Sequence, residues 1–432
     1  MTRKLFFALG LVLAAGCQSQ LMLAPTPEVL RDERFNLFEA NPDPLTSNEI
    51  STIYATTRTP REGSRNFFSG RPDSELHLGV ADLRIGEEDL SLLELIREAT
   101  TGERDREFAW NLLDAPVLSS TERPSNPGEG VPILPEDMAE SIAALNNYID
   151  RNPIKELTIY VHGANNTFPW SVAQGAQFQF FTGDNAIVLT FAWPSPGSIF
   201  RYFADRRRSD KAATDLAFLL ELLSQHSTAT RINLLAYSAG GRVVGGALTQ
   251  LAERYDRDAL RIGHVYLTQS DQALYDFVTT LPKFFPLVEG LTVTAAQGDP
   301  VLTLARMTDF RLRLGAAGRG SGANLNISDE LRAEVTEIVN SERMVFLDIR
   351  EVPEAQFQFT HGAWYDSAWV STDVMVTLLG GFTAEERGLE ATDDSGLQVW
   401  TFPEDYVERI TRSILARDEA DRRVQVPAQG SD

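Results

Sequence analysis

Cysteine, histidine and positive charge are all scarce in this 432-residue chain. Its single cysteine excludes an intrachain disulfide. Lysine and arginine number 39 against 61 aspartates and glutamates, which gives a formal net charge of −22. Nucleic-acid binding needs a basic face that neutralises phosphates, so we expect no nucleic-acid partner. No glycine-rich phosphate loop or metal-ligand spacing stands out, so we expect neither a cofactor nor a metal.

The first sixteen residues are typical of a secretion signal. Basic residues precede a run of apolar and small residues, Leu5 to Ala15, which is too short to span a bilayer. The sequence LAAGC, residues 13–17, resembles the lipobox of bacterial lipoproteins, in which the cysteine is acylated. This resemblance implies a lipid anchor at Cys17, and Gln18 after it implies the outer membrane, with the protein facing the periplasm. The alternative is an ordinary signal peptide with an incidental cysteine.

Composition divides the rest of the chain into four segments. Residues 17–48 are rich in proline and polar residues and are predicted to form a lipid-anchored tether. Residues 49–130 contain two strand-like runs and a loop, which we expect at the edge of a sheet. Residues 131–380 form the predicted core. Residues 381–432 are a C-terminal extension that forms either a lid or a packed terminal helix.

Within the core, short apolar runs alternate with helical segments of ten to twenty residues. The apolar runs are ELTIYV, NAIVLTFAW, RINLLAY, RIGHVYLTQ, GLTVTAA and RMVFLDI. Near-continuous apolar strands are typical of a parallel sheet that is buried on both faces. The pattern predicts an α/β protein with a doubly wound, mostly parallel sheet, helices on both faces and extra N-terminal strands. Functional side chains then belong in the loops at the carboxyl ends of the strands.

One of these loops contains a serine between small residues, in the stretch RINLLAYSAGGRVVGGAL, residues 231–248. The stretch predicts a strand, a sharp turn at Ser238 and a helix, which together form a nucleophile elbow. Small residues are required two positions before and after the serine, and Ala236 and Gly240 occupy these positions. An ordinary turn with a serine helix cap is the simpler alternative.

A serine hydroxyl becomes a good nucleophile only when a base removes its proton. Of the five histidines, His361 follows the last core strand and precedes a helix, which suits the base in the chain order serine, acid, histidine. Asp299 and Asp271 each follow a strand, and either could orient the imidazole. We favour Asp299, because the glycine before it and the proline after it fix the loop.

Acyl transfer also needs hydrogen-bond donors for the oxyanion that forms on the substrate carbonyl. The strand ELTIYV ends in the sequence HGANN, residues 162–166. A His-Gly turn at this point predicts the backbone amide of Ala164 as one donor, and the residue after the nucleophile, Ala239, supplies the second.

Several of these motifs together resemble an uncharacterised family of bacterial α/β hydrolases that is described as esterase-like or lipase-like. The matching stretches are IYATTRTP, IYVHGANNTF, LTFAWPSPGS, YFADRRRS, LLAYSAGGRVV, TAAQGDPVL and FTHGAWYDSAW. The resemblance covers about residues 50 to 410. It implies the α/β-hydrolase fold, a triad of Ser238, Asp299 and His361, and the same two oxyanion donors. It assigns no clear role to the matching Trp-Pro-Ser at residues 193–195.

The sequence therefore predicts a lipid-anchored serine hydrolase that forms an acyl-enzyme and acts on a small-molecule or lipid ester. Its contact with the membrane is through the acylated cysteine. Two alternatives stay open: a non-catalytic binding or scaffold lipoprotein of the envelope, and an acyltransferase that passes the acyl group to an alcohol.

Overall fold

The computed structural model describes residues 21–35, 37–41, 45–102, 104–123, 134–195, 202–309, 311–318, 321, 325–353, 360–394 and 396–425. The signal segment and Cys17 lie outside the described residues. No helix in the described part of the chain is both long enough and apolar enough to cross a membrane.

A twelve-stranded sheet runs through the molecule. Its strands are β1 (Glu49–Pro60), β2 (Phe68–Ile85), β3 (Trp110–Asp114), β4 (Val117–Glu122), β5 (Glu156–Val161), β6 (Ile187–Ala192), β7 (Arg231–Tyr237), β8 (Ile262–Thr268), β9 (Val288–Ala295), β10 (Met344–Asp348), β11 (Glu390–Asp394) and β12 (Leu397–Thr401). Their order is β11-β12-β10-β9-β8-β7-β5-β6-β1-β2-β3, and β4 pairs with β2. Neighbours from β12 to β1 are parallel, whereas β11 and the N-terminal strands β2, β3 and β4 pair antiparallel.

Helices connect the strands. They are α1 (Leu37–Ala40), α2 (Leu92–Thr100), α3 (Ala139–Arg151), α4 (Phe168–Phe181), α5 (Tyr202–His226), α6 (Ala239–Leu251), α7 (Arg257–Leu260), α8 (Leu274–Phe284), α9 (Pro300–Asp309), α10 (Asp329–Val339), α11 (Ala363–Asp366), α12 (Ala368–Gly380) and α13 (Tyr406–Gln425). The six predicted core strands are all present as β5 to β10, with helical crossovers between them. The predicted fold class is confirmed.

Two apolar layers cover the two faces of the sheet. One layer contains side chains of α2, α4, α12 and α13, and the other contains side chains of α3, α5, α6 and α8. Each layer also takes alternate residues of the central strands, which explains why these strands are apolar along their whole length.

The strand register brings three loops to one place. Val161 at the end of β5 pairs with Ala236 of β7 on one side and with Phe191 of β6 on the other. Because parallel strands end at the same edge of a sheet, the loops after β5, β6 and β7 leave the sheet side by side.

The predicted tether over residues 17–48 is wrong for the part that begins at Leu21. Leu21, Leu23 and Leu30 are buried in the same apolar layer as α4. The amide of Leu23 donates to Phe108 O at 2.7 Å, and the amide of Trp110 donates to Leu21 O at 2.8 Å. Burial of these apolar side chains against the edge of the sheet stabilises the packed segment, and this gain exceeds the preference of its prolines for an extended linker.

The C-terminal extension packs as an additional edge of the sheet. Strand β12 runs parallel to β10, and β11 closes this edge as a hairpin with β12. Helix α13 follows and buries Tyr406 and Ile410 in the core. The described part of this segment therefore packs against the core as a terminal helix and does not form a lid.

Candidate active site

Ser238 lies at a sharp turn between β7 and α6. Its backbone has φ 52° and ψ −116°, a conformation that side-chain-bearing residues rarely adopt. A Cβ atom at Gly240 would lie 2.2 Å from Val161 O, so this turn requires glycine there. The geometry is that of a nucleophile elbow, in which strain in the turn presents the hydroxyl at the edge of the sheet.

His361 connects this serine to an aspartate. Its Nε2 lies 3.0 Å from Ser238 Oγ, and its Nδ1 lies 2.9 Å from Asp299 Oδ2. A carboxylate only accepts hydrogen bonds, so Nδ1–H donates to Asp299 and Nε2 keeps the lone pair that faces the serine hydroxyl. Asp299 is 1% exposed, and the serine and the histidine are each 8% exposed. The structure thus brings all three predicted residues together in the arrangement that general-base activation needs.

The second oxygen of Asp299 stabilises the helix that follows it. Oδ1 accepts hydrogen bonds from the amides of Val301 at 2.9 Å and Leu302 at 3.0 Å, in the first turn of α9. The carboxylate is therefore an N-cap and the partner of the imidazole at the same time. Its orientation is fixed by both contacts.

Asp271, the alternative acid, does not reach the imidazole. Its Oδ2 pairs with Arg242 Nη2 at 2.7 Å, and its Oδ1 pairs with Arg313 Nε at 3.1 Å. Its backbone amide donates to Ser238 O at 3.0 Å. Asp271 therefore braces the elbow from the other side as part of a buried ion-pair cluster.

The two predicted oxyanion donors border the serine. Ala239 is the first residue of α6 and follows Ser238 directly. Ala164 follows Gly163, where a Cβ atom would lie 3.1 Å from Ser238 Cβ. The loop after β5 therefore passes against the elbow. The amide of Ala239 also belongs to the first helical turn, whose N–H groups favour negative charge.

Sequence reasoning missed the side chains that hold this loop. Arg58, at the end of β1, is 1% exposed and donates from Nη2 to Asn166 O at 2.9 Å and to His162 Nε2 at 3.3 Å. Ser195 Oγ accepts a hydrogen bond from the amide of Asn165 at 2.7 Å. Trp193 Nε1 donates to His162 O at 2.8 Å. Arg58 and the Trp-Pro-Ser motif were visible only as matching stretches, and the contacts show that they hold the loop after β5, residues 162–167, in place. We call this segment the oxyanion loop, after the predicted donor Ala164 that it contains.

His162 is uncharged in this environment. It is fully buried, its ring stacks on Trp193, and Nδ1 hydrogen-bonds Gly163 O at 2.7 Å. Burial, reinforced by the neighbouring guanidinium of Arg58, lowers the pKa of His162 to about 3. Its Nε2 lies 3.3 Å from Arg58 Nη2 and 3.2 Å from Trp193 O, so contacts at both ring nitrogens hold the imidazole in place.

Aromatic rings enclose His361 on the side of β7. The Tyr237 ring lies 5.3 Å from the imidazole and 5.7 Å from the ring of Tyr365. Trp364 packs 5.1 Å from Tyr160. Burial raises the pKa of Tyr237, which keeps its phenol neutral. The ring that contacts the imidazole from this side is therefore aromatic and carries no charge.

A family comparison agrees with this architecture. Residues 137–379, more than half of the chain, match the model of a family described as alpha/beta hydrolase of unknown function (DUF900). Among solved structures, a presumed cell surface hydrolase from Lactobacillus plantarum WCFS1 is similar, with 14% sequence identity. The similarity covers 42% of this chain and 89% of that one, with a TM-score of 0.25. No curated protein matches the sequence.

Proposed function

The chain belongs to the alpha/beta hydrolases of unknown function (DUF900), and we propose that it is a serine hydrolase that cleaves a carboxylic ester through Ser238, His361 and Asp299. One observation carries the proposal: Ser238 Oγ, the imidazole and a buried carboxylate form a continuous hydrogen-bonded series at a strained turn. This is the arrangement by which a weakly acidic hydroxyl is activated at neutral pH.

In the first half of the reaction, His361 Nε2 takes the hydroxyl proton while Oγ of Ser238 attacks the ester carbonyl. The Asp299 carboxylate stabilises the imidazolium that forms. Negative charge develops on the carbonyl oxygen, and the amides of Ala164 and Ala239 are the donors that would stabilise it. Loss of one such donor typically lowers kcat by about 10²- to 10³-fold.

The tetrahedral intermediate then collapses, and the leaving alcohol takes the proton from the imidazolium. An acyl-enzyme is left on Ser238. In the second half, His361 removes a proton from water as the water oxygen attacks the acyl carbonyl. The imidazolium then gives this proton to Oγ of Ser238 as the bond to the acyl group breaks, which releases the acid and restores the free enzyme. The Tyr237 ring beside the imidazole, which Trp364 contacts in turn, favours an ester with an apolar or aromatic acyl group.

A fluorophosphonate probe tests this proposal directly, because it labels only an activated serine. We expect wild-type protein to be labelled and to hydrolyse p-nitrophenyl esters, and the Ser238→Ala variant to do neither. Absence of labelling in folded wild-type protein would support a binding or scaffold role instead. If an added alcohol is converted to a new ester at the expense of free acid, the protein is an acyltransferase.

We also propose that the protein is an outer-membrane lipoprotein anchored through Cys17 and facing the periplasm. Folded structure begins by Leu21, and the intervening residues can span at most about 14 Å. The hydrolase body would therefore lie close to the lipid surface. Metabolic labelling with a fatty-acid analogue tests the anchor: wild type should be labelled and sediment with membranes, and Cys17→Ser should do neither. An unlabelled wild-type protein would contradict the anchor without affecting the proposed reaction.

A further inference from the structure

Three potential metal ligands meet on β2, away from the triad. Asp73, Glu75 and His77 each offer one ligand atom, and these atoms all lie within 4.8 Å of one another. In a regular strand, residues four apart are about 13 Å apart along the chain, so Asp73 and His77 would not meet. They meet here because β2 is irregular: Thr56 of β1 pairs with His77, while Arg58, two residues on, pairs with Pro72.

His77 is held in an orientation that leaves one ring nitrogen available. The residue is 3% exposed, and its Nδ1 lies 2.7 Å from Ser120 Oγ on β4. Its Nε2 is buried and has no hydrogen-bond partner among the described residues. A buried ring nitrogen without a partner is costly, so its environment calls for a ligand. When Nδ1–H donates to the serine, Nε2 carries the lone pair that a metal ion requires.

The available nitrogen faces negative charge. His77 Nε2 lies 3.5 Å from Asp73 Oδ2, and Glu75 completes the group. The β2–β4 register also places Glu122 directly opposite Glu75. Like charges that face each other across a strand pair are destabilising unless a cation lies near them. The guanidinium of Arg123 is a cation close to this group. Its hydrogen bonds go to the carboxylate of Asp215 and to the backbone oxygen of Asp73, so the side-chain carboxylates of the group still favour a bound cation.

Although no metal is expected from the sequence, we propose that Asp73, Glu75 and His77 bind a divalent transition-metal ion, for which zinc is the best representative. One imidazole nitrogen and two carboxylate oxygens form a mixed ligand set that suits zinc better than calcium, which prefers oxygen ligands alone. The 3.5 Å separation of Nε2 and Oδ2 is close to the distance between two ligands of one tetrahedral zinc ion. The ion would fix the irregular part of β2 against β4.

A competition titration of metal-free full-length protein against a chromophoric zinc chelator tests the site. We expect wild type to bind one zinc ion at this site. Asp73→Asn and Glu75→Gln keep the side-chain size and should each weaken binding at least about tenfold. Ser120→Ala, which removes the partner of Nδ1, should weaken binding by about 10- to 100-fold. These three variants avoid His77→Ala, which removes a ring that packs 6.0 Å from Phe68 and can impair folding.

Two control variants test whether zinc binds at the nearby β1–β2 loop or at the triad instead. Glu62→Gln removes an exposed carboxylate from the β1–β2 loop, and His361→Ala removes the imidazole of the triad; both should bind zinc as wild type does. Zinc should also raise the Tm of wild type but not that of Asp73→Asn. The proposal is overturned if wild type binds no zinc at this site, or if Asp73→Asn and Glu75→Gln both bind it with wild-type affinity.

Discussion

Asp299 binds His361 through one carboxylate oxygen and caps helix α9 with the other. The distance from Oδ2 to Nδ1 is 2.9 Å. One side chain thus couples the position of the imidazole to the start of a helix. This arrangement explains how a residue in the loop after β9 can be held rigidly enough to fix the orientation and tautomer of the imidazole.

We expect substitution of the two candidate acids to have different effects, a loss of activity for one and a loss of stability for the other. Asp299→Asn should lower kcat by about 10⁴-fold, because an amide at this position favours the wrong imidazole tautomer, while the amide oxygen can still cap α9. Asp271→Asn should instead lower the free energy of unfolding by about 3 kcal/mol or more, because it removes the carboxylate that forms buried ion pairs with Arg242 and Arg313. Ester hydrolysis and denaturant unfolding of both variants provide the comparison. Equal loss of kcat in both, with wild-type stability, would contradict these roles.

Backbone strain at Ser238 predicts a stability difference between two inactive variants. Glycine adopts φ 52° readily, whereas alanine keeps the strain. We expect Ser238→Gly to be more stable than Ser238→Ala by about 1 kcal/mol, since the relief of strain exceeds the entropy that glycine loses on folding. Urea unfolding monitored by tryptophan fluorescence measures the difference. If alanine is the more stable replacement, the turn is not strained.

Arg58 should position the oxyanion loop without contacting substrate. Arg58→Lys loses the two-point contact with His162 and Asn166, so the loop amides should shift and kcat should fall roughly tenfold or more. KM should change little, because the oxyanion contact acts on the transition state. Arg61→Lys, in the exposed turn after β1, is the matched control. A rise in KM with unchanged kcat would place Arg58 in ground-state binding instead.

Buried His162 predicts a loss of stability in mild acid. Its pKa is lowered to about 3 by burial, so the folded state stays unprotonated at pH values where the unfolded chain binds a proton. The contribution of His162 to stability is therefore fully present above the ordinary pKa near 6.5 and falls by about 1.4 kcal/mol per pH unit below it, until the pH approaches 3. His264, whose pKa is also lowered to about 3 by burial, adds a decline of the same sign.

The variant His162→Asn should show a shallower decline in the free energy of unfolding between pH 6.5 and pH 4.5. His264→Asn should also show a shallower decline, because burial likewise lowers the pKa of that ring to about 3. Chemical unfolding at several pH values measures both. Equal slopes for wild type and His162→Asn would indicate that this ring does not cause the acid sensitivity.

Much of the fold could be predicted from local sequence pattern. Apolar runs of six to nine residues between helical segments predicted the six core strands, because a strand buried on both faces must be apolar along its length. The position of Gly240 after Ser238 likewise predicted the close approach of α6 to the end of β5, which the structure shows as a clash for any Cβ atom. These features depend on neighbours in the chain.

Other features of the structure depend on contacts between residues that are distant in the chain. The local sequence pattern predicted these features wrongly or did not predict them. The segment after Leu21 looked like a linker, because its prolines are evident locally while its apolar partner at the edge of the sheet is not. The irregular pairing that brings Asp73 to His77 arises from the β1–β2 register. The buried position of Arg58 under the oxyanion loop depends on the packing of β1 against β6.

By itself, then, the sequence determined which helices and strands form and that the sheet is mostly parallel. It also determined which residues follow the ends of the strands. Hydrophobic periodicity and turn chemistry are local properties, and local sequence is enough to predict them. The tertiary structure alone decided which of these residues meet. It placed Asp299 rather than Asp271 beside His361, across 62 positions of chain, and brought that imidazole to Ser238 across 123. Contacts over such separations depend on how the whole sheet is ordered, which no short stretch of sequence encodes.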